Sequence, residues 1–374
     1  MDRKSLSILH LVSYHLFTGP VEPVLRLARA QLDAGHRPRL AFDRVRNGDL
    51  EEQAARFGVP TEARFSLSVK SGPILLLRDL LALKRIWAGQ EFDIVHAHRS
   101  HDHTLAALAR PRQSTVRLVR SLHTERTMAP NRRWLLGRAD GLVTLGQRFR
   151  ADLLDRGLLD ADRIVAVDGA VDGGQFCPGE GGEHIRSEAG VEAQAPVAGI
   201  VARMKAGRGH DCLLAAWALV VQKLPTARLL LVGRGELATQ LRCQVAAAPW
   251  ASSVRFLGYR KDLAQVYRAF DVKVMLAPGN DGTCRAALEA MASGVPLLVC
   301  DRGALAEIVR DGVSGKVVPG DNPQLLAEAL VDLLASPNLR RQLGAQARLE
   351  TENRFTIKAQ LASILNLYRQ VLDK

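Results

Sequence analysis

Apolar residues fall in short runs from one end of the chain to the other, and longer stretches between the runs return an apolar position every third or fourth residue. In the first half the runs are 6–12, 37–42, 92–98, 116–123, 141–145 and 163–167. Between them lie segments such as 22–35, where Val24, Leu25, Leu27, Ala28 and Leu32 share one helical face and Gly35 gives the stop. The stretch 168–190 is rich in glycine and acidic residues and poor in apolar ones, and reads as a mobile linker. The pattern then restarts at 197–203, 227–233, 254–258, 271–278, 296–300 and 315–318, and from about 323 onward it is helix-period throughout. Strands alternating with helices predict an α/β protein made of two doubly wound parallel sheets. In such folds ligands meet the C-terminal ends of the strands. The expected boundaries are a first domain at 1–172, a linker at 173–194, a second domain at 195–350 and a C-terminal helical segment at 351–374 that packs on the second domain or crosses back to the first.

A chain of 374 residues is long enough for two such domains. Lysine and arginine number 51 against 39 acidic residues, which favours an anionic partner: a nucleotide, a phospholipid surface or a nucleic acid. The five cysteines (Cys177, Cys212, Cys243, Cys284 and Cys300) include no close pair, which suits a reducing compartment and argues against a disulfide framework or a zinc ribbon. No run approaches 18 uninterrupted apolar residues, and the first residues alternate like a strand rather than a signal peptide. The expectation is a cytoplasmic protein.

The chemistry concentrates in the second half. Asp281 and Glu289 stand eight apart around the start of a helix predicted near Thr283. A ligand lying there would meet a carboxylate, then the free N–H groups of a helix N-terminus, then a second carboxylate. Amides suit phosphate and carboxylates suit sugar hydroxyls, which together describe a nucleotide sugar. The same spacing also fits a helix cap at Asp281 and a solvated residue at Glu289. Arg203 and Arg208 follow the 197–203 strand and could neutralise a diphosphate, or lie free on the surface. Gly233 and Gly235 follow the next strand, a pattern that also serves ordinary turns.

The stretch 280–299 resembles the E-x7-E motif of retaining glycosyltransferases of family 4, which have the two-domain GT-B fold: two Rossmann-like domains facing a cleft. The resemblance implies that Asp281 contacts the transferred sugar and Glu289 the ribose, and that Gly282, Thr283 and Cys284 present backbone amides to the sugar and diphosphate. Aspartate replaces the more frequent glutamate at 281, and Cys284 stands where glycine is common. The resemblance extends to 201–220, where Arg203 and Arg208 match the family's pair of cations, with arginine in place of lysine at 208. It extends also to Gly233 and Gly235, to the base-side loop Gly258, Tyr259 and Arg260, and to an N-terminal loop with Gly19 and Glu22, where Pro20 replaces a second glycine. His123 matches a family histidine that faces the donor sugar.

The first domain is thereby implied to be the acceptor side. His96, His98, His101 and His103 invite a metal reading, but core hydrogen bonding or acceptor contact is the expectation, and no metal is assigned. Between Arg110 and Arg138 stand eight arginines and one acidic residue, Glu125, which suits an anionic acceptor or membrane surface as well as a solvated face. The resemblance implies transfer of a sugar, most simply from a UDP-sugar, to a glycan or lipid-linked acceptor, in cell-surface polysaccharide or lipopolysaccharide synthesis. No cofactor is implied, and peripheral attachment to the inner face of the cell membrane fits. A nucleotide-sugar epimerase of the same fold and a non-catalytic sugar-nucleotide sensor compete with this reading. A dinucleotide oxidoreductase lacks its GxGxxG, and a nucleic-acid binder leaves the acidic pair unexplained.

Overall fold

The computed structural model describes residues 5–17, 20–70, 72–123, 133–157, 160–278 and 281–374, leaving aside the side chains of 133 and 281–283. The chain forms two compact units: one runs to Gly169 and resumes at Ile357, and the other comprises Ala170–Thr356.

The first unit holds a parallel sheet of β1 (Ser7–Val12), β2 (Arg37–Phe42), β3 (Ile94–Ala97), β4 (Arg117–Leu122), β5 (Gly141–Thr144) and β6 (Ile164–Ala166), in the order β2-β1-β3-β4-β5-β6. Beyond β2 a single parallel bridge joins Leu40 to Thr61, flanked by Leu40 N–H donating to Pro60 O and Glu62 N–H to Leu40 O. The second unit holds β7 (Val197–Val201), β8 (Arg228–Val232), β9 (Val254–Gly258), β10 (Val272–Met275), β11 (Leu297–Cys300) and β12 (Gly315–Val318), in the order β12-β11-β10-β7-β8-β9. This is the doubly wound order in which the chain reverses direction across the sheet between β10 and β7. The first unit reverses between β1 and β3, and the Leu40–Thr61 bridge marks the outer strand that the second unit has in full.

All twelve apolar runs are strands, because both faces of a parallel sheet are covered by helices and no polar alternation is required. The ladders are shorter than the runs at 92–98 and 271–278: Leu276 and Ala277 stay buried after the β10 pairing has ended. Helix Ile357–Leu372 belongs to the first unit, where Ile364, Leu365, Leu367, Tyr368 and Val371 pack with Leu6, Ile8, Ile94 and Val119.

The glycine-rich stretch is not a free linker. It contains helix Gly182–Glu188 and is packed on the second unit, with Phe176 and Ile185 buried. Arg268 donates to the carbonyls of Cys177 and Glu180, and Arg186 to those of Ala269 and Ala195. At Gly182 an added Cβ would come within 2.4 Å of Arg268 O, so glycine there serves close approach rather than mobility.

Candidate functional site

In the second unit the residues of interest gather where β7, β8, β9 and β10 end. Arg203 is exposed and Arg208 half-buried in the turn between β7 and helix His210–Lys223. Gly207 and Gly209, both in the left-handed region (φ +75° and +78°), flank Arg208. At Gly209 a Cβ would lie 2.3 Å from Leu276 Cβ, so the turn is set tightly at the N-terminus of a 14-residue helix. Neither arginine meets a carboxylate among the described residues. Burial, and then the charge of Arg203, draw Arg208 below the ordinary arginine range. Two unneutralised cations beside a helix N-terminus form a site for a multiply charged anion.

Gly233 and Gly235 support this turn from beneath. A Cβ on Gly233 would lie 2.0 Å from Ala202 O, and one on Gly235 2.2 Å from Met204 O. Met204 N–H donates to Arg234 O, and Leu237 N–H to Met204 O. Both glycines therefore admit the neighbouring backbone, and through it they position the loop that carries Arg203.

The helix expected near Thr283 begins at Asp281, whose own backbone is already helical (Asp281–Ala292). Eight helical steps carry the backbone from Asp281 to Glu289, about 12 Å along the helix axis and about 80° around it. Cys284 is buried in the helix. Glu289 is almost wholly buried and already engaged: it accepts from Tyr267 Oη at 2.7 Å and lies 3.4 Å from Arg285 Nε. Lys273, fully buried on β10, donates to Ala286 O, and its ammonium stands 4.2 Å over the Tyr267 ring. Burial pulls Lys273 down to about 7 against the opposing pull of Glu289, while burial and then Glu289 push Tyr267 well up. A ribose contact at Glu289 would have to form from within this network.

The two residues that follow β9 differ. Tyr259 is 59% exposed, with the Arg234 guanidinium 4.8 Å over its ring. Arg260 is committed, donating to both oxygens of Asp262 (2.9 and 2.6 Å) and to Glu188 (2.5 Å). It could meet a ligand only by leaving two carboxylates.

In the first unit His123 follows β4 and His98 follows β3, their rings stacked with centroids 5.8 Å apart. His98 stacks in turn on His96 at 4.2 Å. His10 Nδ1 lies 3.0 Å from His98 Nε2, and His10 Nε2 2.8 Å from Gln31 Oε1; His96 meets Tyr368 Oη at 2.6 Å and Ser121 Oγ at 2.7 Å. The ring nitrogens of His10, His96 and His98 approach one another closely enough to hold a metal ion, yet both nitrogens of His10 and of His96 already have hydrogen-bond partners. Burial lowers His10 to about 4 and His96 and His98 well below the ordinary range, so the three are neutral at pH 7. Beside them Asp102 accepts from Ser13 and Arg99 backbone N–H groups, and burial raises it to about 6. Arg120, inside β4, is buried rather than outward-facing and is drawn down by desolvation to about 10. Gly19, Arg126 and Arg132 lie outside the described residues.

The sequence reading missed Tyr267, Lys273 and His210. A lysine inside the apolar run of β10 was the available signal for the first two. His210 opens the helix after Arg208, is buried, and has no hydrogen-bond partner on either ring nitrogen among the described residues.

The profile described as Glycosyltransferase Family 4 matches residues 19–173, and the one described as Glycosyl transferases group 1 matches residues 195–336. A D-inositol 3-phosphate glycosyltransferase of Actinosynnema mirum is 32% identical over 311 residues, spanning 75% of this chain and 73% of the relative. Among solved structures, Anabaena Alr3699/HepE in complex with UDP-glucose superposes with a TM-score of 0.77 at 21% identity, covering 96% of this chain and 98% of that one. The lipopolysaccharide outer core galactosyltransferase WaaB superposes with a TM-score of 0.77 at 13% identity, covering 97% and 99%. At those identities the structural likeness establishes the GT-B fold.

Proposed function

The chain belongs to the family 4 group of glycosyltransferases with the GT-B fold, and from that premise we propose that it transfers a hexose, with retention, from a UDP-sugar to a glycan or lipid-linked acceptor in cell-surface polysaccharide or lipopolysaccharide synthesis. The observation that carries the donor assignment is the pair Arg203 and Arg208, free of carboxylates among the described residues, at the start of helix His210–Lys223. In the proposed reaction the bond between the anomeric carbon and the β-phosphate oxygen breaks while the acceptor oxygen bonds to the same face of that carbon. The acceptor's proton passes to the departing phosphate. Arg203, Arg208 and the helix N-terminus stabilise the charge that develops on the diphosphate. Asp281 holds the sugar hydroxyls and Glu289 the ribose. No step calls for a resident cofactor or metal.

Membrane proximity is supported by a feature other than the arginines first considered. Helix Pro73–Gly89 exposes Ile74 (83%), Leu77 (57%) and Leu81 (46%) at helical spacing, alongside exposed Arg78, Lys84 and Arg85. Its one acidic residue, Asp79, is buried and accepts from Ser66 and Leu67. An apolar stripe flanked by cations suits an anionic lipid surface. No helix among the described residues is long and apolar enough to span a membrane.

The reading is tested by mass-action stabilisation with UDP-, GDP- and ADP-hexoses, followed by hexose transfer to lipid-linked and phosphorylated polyol acceptors. Stabilisation by UDP-hexoses and acceptor-dependent UDP release are expected. Failure of every nucleotide sugar to raise the melting temperature would remove the donor assignment. Co-sedimentation with phosphatidylglycerol vesicles, lost on Leu77→Ser with Leu81→Ser, tests the surface.

A further inference from the structure

The arginine-rich stretch has a use that donor chemistry does not absorb. In the first unit Arg110, Arg112, Arg117, Arg138 and Arg163 line an open pocket of about 510 Å3 whose single acidic lining residue is Asp140. Arg117 opens β4, and Asp140 and Arg163 immediately precede β5 and β6, so the pocket lies at the N-terminal edge of the sheet. His123 lies past the opposite end of β4, a six-residue strand about 20 Å long. The pocket is therefore separate from the strand ends described above.

We propose that this pocket is a binding site for a phosphate-bearing anion, a phosphomonoester or diphosphate. Five guanidinium groups face one carboxylate, and that carboxylate is already occupied: Asp140 accepts from Arg110 at 2.9 and 2.7 Å and from Leu118 N–H at 2.7 Å. Arg117 reaches it only at 3.8 Å. Arg138 donates to the carbonyls of Ala107 and Arg110, and Arg163 to those of Ala139 and Asp140. Carbonyl oxygens fix these side chains without cancelling their charge, so binding an anion sacrifices little side-chain freedom. Arg112 is exposed and pairs with no carboxylate among the described residues. Planar guanidinium forks match phosphate oxygens in pairs, which a point-charge lysine cluster would not do. The phosphate could belong to a soluble metabolite or to a lipid headgroup.

The test is calorimetric titration of the full chain with inorganic pyrophosphate at low salt, in the parent, in Arg208→Ala, and in Arg112→Ala with Arg117→Gln. Two classes of site are expected in the parent. The site retained in Arg208→Ala should weaken at least tenfold in the double variant, and Arg112→Glu, a surface change that leaves every described hydrogen bond in place, should weaken it too. Titration of the double variant and of Arg112→Glu indistinguishable from the parent overturns the proposal, whatever becomes of the donor reading. Vesicles of phosphatidylglycerol distinguish the sources. If pyrophosphate displaces the parent from vesicles and the double variant fails to bind them, the phosphate is a headgroup's. If vesicle binding is the same in both while pyrophosphate binding differs, the ligand is soluble. Vesicle binding lost in the double variant with pyrophosphate binding intact also overturns the proposal.

Discussion

The two sheets treat ionisable groups at their C-terminal edges in opposite ways. The first unit buries His10, His96 and His98 in or beside its strands and strips the charge from all three; the second buries Glu289 and Lys273 beside a half-buried Arg285, and leaves Arg203 and Arg208 unneutralised in a loop. A neutral hydrogen-bonded network fixes shape and donor direction but produces little field. Uncompensated cations produce field and gain most when an anion arrives.

Replacing Glu289 should break the contrast most severely. Glu289→Ala is expected to cost about 3–5 kcal/mol of unfolding free energy in denaturant titration, the size for removing one partner of a buried charged pair. It should also abolish donor binding, whereas Asp281→Ala keeps nucleotide binding and loses turnover. A stable Glu289→Ala variant would mean that the network is not ionised.

Next in size, Arg208→Ala should lower kcat about a hundredfold, as for loss of a charged stabiliser of a leaving group, with Arg208→Lys largely tolerated. Arg260→Ala, taken from a neutralised arginine in the same unit, should stay within about threefold. Steady-state rates on the three variants separate free from committed cations; equal losses at 208 and 260 would dissolve the distinction.

Lys273 gives a third, pH-dependent comparison. Its folded pKa of about 7 lies below its ordinary 10.5, so between those values the unfolded chain binds more protons. Stability contributed through this group therefore rises as pH climbs from about 7 toward 10, and the rise should vanish in Lys273→Met. Unfolding curves of both proteins across that window check the sign.

The smallest effect belongs to the first unit. With its folded pKa near 4, the His10 ring proton signals should not move between pH 5.5 and 8, and stability should fall only as acid is added from about 6.5 toward 4. An inflection near 6.5 in the magnetic resonance titration would show that the network is open to solvent.

Much of this was legible beforehand for physical reasons. Strands covered on both faces are continuous apolar runs, so all twelve could be read directly, though not where each ladder stops. The spacing of Asp281 and Glu289 and the cations at 203 and 208 were visible because each motif is local. The commitments of Glu289 and Arg260 were not, since Tyr267, Lys273 and Glu188 arrive from distant segments. Glycine content misled at 168–190, where the residues are needed for close packing. Arg120 was counted with outward-facing arginines because its place inside β4 says nothing of which face is covered.

The return of helix Ile357–Leu372 to the first unit also orders events during synthesis. Leu365, Tyr368 and Val371 complete a core whose other members, Leu6 and Ile8 among them, were made before Ala170–Thr356. At about 5–20 residues per second, the first unit waits roughly 10–40 s beside the ribosome with one flank of its sheet uncovered. The second unit, contiguous in the chain, has every strand it needs before that helix emerges, so the part encoded later reaches its finished form first.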